Sequence, residues 1–143
     1  MSHPPAREQR IPWPIKGVVT LFYYEDMRRA LDFYERVIGL RKIVDFGWCA
    51  LLEIFEHAHL GLIDSTGGSQ RPIPGTNKGA LITLQTEDLQ ACLTRMRELG
   101  VATAATRIEY NPRSRTHDFK VYDPEGYTIE FFAWDEPPPP VTE

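Results

Sequence analysis

One pattern occurs twice in this chain, and the repetition limits the folds open to it more than any other feature. An alternating apolar stretch at 18–24 runs into Glu25-Asp26-Met27, then an amphipathic run, then Gly39-Leu40. Counted from Asp26 to Asp88, the same order returns 62 residues later: an alternating stretch at 80–86, Glu87-Asp88-Leu89, an amphipathic run and Gly100-Val101. Period-2 alternation predicts a strand. An acidic pair suits a helix start, where carboxylates accept from free N–H groups and face the positive end of the dipole. Glycine suits the left-handed residue that stops a helix. Met27, Ala30, Leu31, Tyr34, Val37 and Ile38 fall on one side of the first predicted helix, and Leu89, Cys92, Leu93, Met96 and Leu99 on one side of the second. Three short extended stretches follow each helix, at 40–46, 48–55 and 59–64 and again at 101–109, 116–122 and 127–134. The predicted fold class is therefore α+β, with two tandem βαβββ modules whose curved sheets enclose a shared cavity.

The remaining segments fall around that frame: an N-terminal arm at 1–16, modules at 17–64 and 79–135, a Gly/Ser/Pro-rich linker at 65–78, and a tail at 136–143 with four consecutive prolines. A length of 143 residues with 42% hydrophobic and 11% aromatic content supports one ordinary core. A net charge of −4 with scattered Lys and Arg argues against nucleic acid as a partner. No apolar run approaches the ~18 residues of a membrane span, and the first residues lack the apolar stretch of a signal peptide. Cys49 and Cys92, the latter on a helical apolar face, fit a reducing compartment, so a cytoplasmic protein is expected.

Asp123-Pro124-Glu125-Gly126 has the chemistry of a hairpin turn: Pro presets φ, and Gly supplies the conformational freedom of the exit. On the strand that follows, Thr128, Glu130 and Phe132 share one face while Ile129 and Phe131 share the other. A carboxylate facing a pocket from such a strand needs an ion-pair partner, a metal or a proton to move.

In this order and spacing, Glu25 to Tyr34, Val37-Ile38-Gly39-Leu40 and Asp123 to Glu130 resemble the vicinal oxygen chelate superfamily. That superfamily includes glyoxalase I, extradiol dioxygenases, methylmalonyl-CoA epimerase and the bleomycin-resistance proteins. In its metal-dependent members four side chains, two from each half, hold one metal. Carried onto this chain, those positions fall at Val19, at Leu81, within Leu60-Gly61-Leu62 and at Glu130. One oxygen ligand does not hold a divalent ion, so the resemblance implies no metal cofactor. The alternative is one divalent metal at a displaced site, held by Glu130 with histidines. His57 and His59 read as the border of an exposed turn. His117, in phase with Phe119 and Val121, either points toward Glu130 or caps a strand end beside Asp118.

Strand phase gives the expected lining of a ligand cavity. Tyr23 lies there with Val19 and Leu21, Thr83 and Gln85 with Leu81, and Thr128, Glu130, Phe132 and Trp134 on the last strand. Trp48 either stacks on a flat ligand or anchors a sheet or dimer interface. Trp13 packs the N-terminal arm onto the body or a partner, and Glu53 reads as an edge charge. Glu130 reads in three ways: as a relic satisfied by hydrogen bonds from Tyr23, Gln85 or His117, as an anchor for a donor or cation on a bound molecule, or as a general base. These residues suit a metal-independent protein that binds an aromatic or antibiotic-like small molecule, with a homodimer implied by the resemblance. The alternative is a lyase, isomerase or dioxygenase of the same fold, in which Glu130 is the catalytic base or a ligand of a non-standard metal site.

Overall fold

Both helices begin at the acidic doublets. The Asp26 carboxylate accepts the Arg29 N–H at 3.1 Å and opens α1, Met27–Asp32; Asp88 accepts the Ala91 N–H at 3.0 Å and opens α2, Leu89–Glu98. The computed structural model describes residues 12–101 and 107–140. The first helix departs from simple α geometry. From Phe33 to Ile38 it widens into a π-helical stretch, closed when Gly39 N–H donates to the Tyr34 carbonyl at 3.0 Å, and Gly39 takes the left-handed conformation at φ 90°. The wider turn keeps Phe33, Tyr34 and Val37 all buried.

The described strands are β1 (Val18–Tyr23), β2 (Arg41–Asp45), β3 (Cys49–Phe55), β4 (Ala58–Ile63), β5 (Ile82–Gln85), β6 (Glu109–Asn111), β7 (Thr116–Tyr122) and β8 (Thr128–Trp134). They form two four-stranded sheets, β1-β4-β3-β2 and β5-β8-β7-β6, with β1 parallel to β4 and β5 parallel to β8. Each module is thus βαβββ. The strand expected at 101–109 differs: residues 102–106 lie outside the described residues, and the observed strand is Glu109–Asn111, paired with Thr116–Asp118. Pairing with β7, not its own polar sequence, selects that segment.

Alternation gives each sheet a core face and an open face. Phe22, Leu52, Leu60 and Leu62 of the first sheet and Phe119, Val121, Ile129 and Phe131 of the second meet Ala30, Val37, Leu93 and Met96 of the helices in a single cluster. Each large apolar side chain removed from water there contributes about 1.5–3 kcal/mol.

The β7–β8 turn locks the modules together. Asp123, buried, accepts at Oδ2 from Tyr24 at 2.5 Å and Tyr34 at 2.7 Å, and at Oδ1 from the N–H groups of Glu125 and Tyr127. Burial first, and then the charge of the Asp123 carboxyl, push both tyrosine hydroxyls well above their ordinary value, although the hydrogen bond from Tyr24 partly offsets this at Tyr34. The Glu125 carboxylate receives the N–H groups of Glu25 at 2.8 Å and Asp26 at 2.7 Å, at the start of α1. The Tyr127 hydroxyl accepts from Tyr23 N–H at 3.0 Å and donates to Tyr23 C=O at 3.2 Å, while its ring stacks on Phe22 at 4.0 Å. In return, Arg95 of α2 donates to the carbonyls of Val37 at 2.9 Å and Arg36 at 2.8 Å, near the end of the first helix.

Candidate functional site

Glu130 occupies the middle of β8, between its register partners Thr83 on β5 and Lys120 on β7. Its Oε1 accepts from the Thr83 hydroxyl at 2.8 Å, and its Oε2 lies 3.2 Å from the Lys120 ammonium. Lys120 also donates to Asp118 at 3.0 Å. The four side chains form one chain of contacts across the open face, with Glu130 22% and Asp118 14% exposed. Burial pulls the Lys120 pKa down, but the hydrogen bonds and charges of Asp118 and Glu130 outweigh it and hold it above the usual lysine value.

The partners of Glu130 differ from those named for it as a relic. Among the described residues neither Tyr23, Gln85 nor His117 bonds its carboxylate; Thr83 and Lys120 do. His117 projects from the other face of β7, in phase with Phe119, where its ring lies 4.9 Å from Tyr110 and its Nδ1 3.9 Å from Asp135. Lys120 escaped the sequence reading, although the turn carries the signal. Hairpin pairing counted outward from Tyr122 opposite Thr128 sets Lys120 opposite Glu130.

Around this cluster, Thr128, Phe132 and Trp134 continue the open face of β8, with Phe132 and Trp134 edge to face at 5.4 Å. Gln85 pairs with Phe132 at the end of β5. Tyr23 and Trp48 belong to the first module. Tyr23 joins Cys49 and Ile63 in a small buried cluster with Leu51 against it. The loop after β4 lies over both rings: a Cβ on Gly67 would meet Trp48 at 2.4 Å, and one on Gly68, whose φ is +73°, would meet Tyr23 at 2.6 Å. Trp48 still keeps 45% exposure, and Trp13 59%.

The positions that hold a metal in related folds are filled otherwise. Val19 pairs with His59 and Leu21 with Gly61 in the β1–β4 register. A Cβ at Gly61 would stand 2.5 Å from Leu21 Cδ2, 3.1 Å from Leu51 Cδ2 and 3.3 Å from Val19 Cγ1. The apolar side chains have closed over the glycine. Val19, Gly61 and Leu81 offer no donor atom, so these residues do not fit the fourfold metal site. Among the described residues no group of three or more His, Cys, Asp or Glu side chains converges on a point that would hold a metal. His57 sits in the β3–β4 turn at φ 60°, its side chain 72% exposed. His59 lies on β4 opposite Glu53, whose carboxylate pairs with Arg41 at 3.3 Å.

The sequence of residues 18–131 matches the family described as Glyoxalase/Bleomycin resistance protein/Dioxygenase superfamily. The chain belongs to that superfamily. Solved structures share the glyoxalase/bleomycin resistance fold with it. A glyoxalase/bleomycin resistance protein/dioxygenase from Nocardioides superposes with a TM-score of 0.71 at 16% identity, covering 93% of this chain and 91% of its own. TioX from Micromonospora sp. ML1 gives a TM-score of 0.68 at 19% identity, covering 82% and 97%. Lactoylglutathione lyase from Agrobacterium tumefaciens gives 0.63 at 21% identity, covering 84% and 95%. At these identities the likeness to each structure is one of fold. No curated protein matches the chain.

Proposed function

We propose that this superfamily member binds a small, partly aromatic organic molecule on the open faces of its sheets without a metal, and that Glu130 orients the ligand. The observation that carries this reading is the setting of Glu130, held by Thr83 and Lys120 on the open face of the second sheet, while the other positions that the metal-dependent pattern assigns to ligands are Val19, Gly61 and Leu81. A carboxylate already fixed by a hydroxyl and an ammonium presents its remaining lone pairs in a set direction, as suits recognition of a donor group. Phe132 and Trp134 supply an aromatic edge beside it. Val19, Leu21 and Leu81 are each exposed by close to half, which supports a homodimer that covers the open faces.

Two measurements test this. Protein expressed in metal-supplemented medium is expected to carry far less than one transition metal per chain. A stoichiometric metal that disappears in Glu130→Gln would overturn the metal-free reading. Titration with aromatic antibiotics is expected to change tryptophan emission and raise the melting temperature, with Glu130→Gln weakening binding by about tenfold, as for loss of a hydrogen bond to a charged group. Absence of any thermal or fluorescence response to the whole panel would sink the binding role.

A further inference from the structure

The two modules are not equally closed, and the difference leaves a cavity away from Glu130. At the first junction the β7–β8 turn delivers Glu125 to the start of α1 and the Tyr127 ring onto Phe22. Equivalent places in the second junction follow from the registers. Thr20 pairs with Leu60 and Ile82 with Ile129, so Ala58 stands where Tyr127 stands, and Glu56 where Glu125 stands. On the receiving side Leu84 replaces Phe22, Thr86 replaces Tyr24 and Met96 replaces Tyr34. A methyl group thus replaces a phenol ring. Glu56 is 77% exposed beside His57, and the Asp88 N–H is taken by the Thr86 hydroxyl at 3.1 Å.

At this junction lies a cavity of about 620 Å³, where the first helix's C-terminal end, the end of β3 and the exit of β5 meet. Leu40, Ile54 and Leu84, which line it, also pack on the main core cluster, to which the lining ring Phe131 belongs. Phe55, 74% exposed, stands at its mouth. Among the described residues that line it, Glu87 is the one with a charged side chain. An apolar chamber of this size with one carboxylate at its edge is complementary to a ring-bearing cation.

We infer that this cavity is a second small-molecule site, separate from the open faces, and that its ligand is an arylalkylamine. The aromatic ring occupies the space that Tyr127 fills in the first module, and the ammonium pairs with Glu87.

Tyramine is the probe, with 3-(4-hydroxyphenyl)propionate as its charge-reversed counterpart, titrated into the isotope-labelled full chain and followed by amide NMR. Saturable shifts at residues 84–87 and Phe55, with a Kd of about 1 mM or tighter and weaker binding of the carboxylate, are expected. Glu87→Gln should weaken tyramine about fivefold to tenfold, and Ala58→Tyr should abolish its binding by restoring the ring. Phe55→Ala, a change at an exposed position, should weaken binding with the spectrum otherwise preserved, so the site remains testable if Ala58→Tyr does not fold. Shifts confined to Thr83, Glu130 and Trp48 would overturn the second site and assign tyramine to the open faces. Preference for the carboxylate, no saturation by about 10 mM, or concentration-dependent shifts at Leu84 that tyramine does not displace, the mark of a second copy in the cavity, would each overturn it as well.

Discussion

Asp123 gathers four donors around one buried carboxyl: the phenols of Tyr24 and Tyr34 and the amides of Glu125 and Tyr127. Removing it takes this acceptor from all four at once and leaves the Tyr24 hydroxyl only the Tyr34 oxygen at 3.2 Å, whereas removing one phenol leaves three donors in place. Asp123→Ala is therefore expected to cost about 3 kcal/mol or more, and Tyr34→Phe about 1.5–3 kcal/mol, read from denaturant unfolding. The pH dependence follows from the same group. The folded values of Tyr24 and Tyr34 are raised, so their contribution is complete below the unfolded tyrosine pKa of ~10 and is lost as pH rises above it. Of the six tyrosines, Tyr24 and Tyr34 should ionise only as the protein unfolds at alkaline pH. A tyrosinate titration that runs to completion in still-folded protein would contradict this. Lys120, raised by Asp118 and Glu130, loses its contribution in the same direction. At this scale the sequence showed Glu130 but not its partners, because a cross-strand neighbour is fixed by pairing register and not by proximity along the chain.

Elements were easier to read than their details. The doublets at Glu25-Asp26 and Glu87-Asp88 announce both helix starts because capping needs a short carboxylate one residue before the first turn, a local requirement. Asp88→Ala should lower stability by about 1 kcal/mol and the melting temperature by about 2–4 °C, and a thermal melt would show it. The π-helical stretch Phe33–Ile38 was not legible, since its apolar residues satisfy an α spacing equally well and only the packing of Phe33, Tyr34 and Val37 selects the wider turn. Nor was β6: Glu109–Asn111 has neither alternation nor β-branched residues, and only its bonds to β7 make it a strand.

At the scale of the whole molecule, the main core cluster is fed by both modules, and the clasps at Asp123, Glu125 and Arg95 reach across from the second module to the first. Neither half keeps a covered face when alone. A fragment of residues 12–64 should therefore show little dispersed amide signal, while the full chain unfolds in a single transition with coincident circular dichroism and fluorescence. A well-dispersed spectrum from the fragment would show that the modules are independent. The duplication itself was visible in the sequence; the clasp was not, because Asp123 and Tyr24 lie far apart along the chain and their meeting depends on how the sheets pack. The closure of Leu21, Leu51 and Val19 over Gly61 also bears on how firmly that patch is set. A side chain added at the glycine would press first on the terminal methyl of Leu21, the free end of a half-exposed side chain. The backbone need not move to make room, so the apolar floor over Gly61 is a soft one that yields to a new group by the turn of a single leucine.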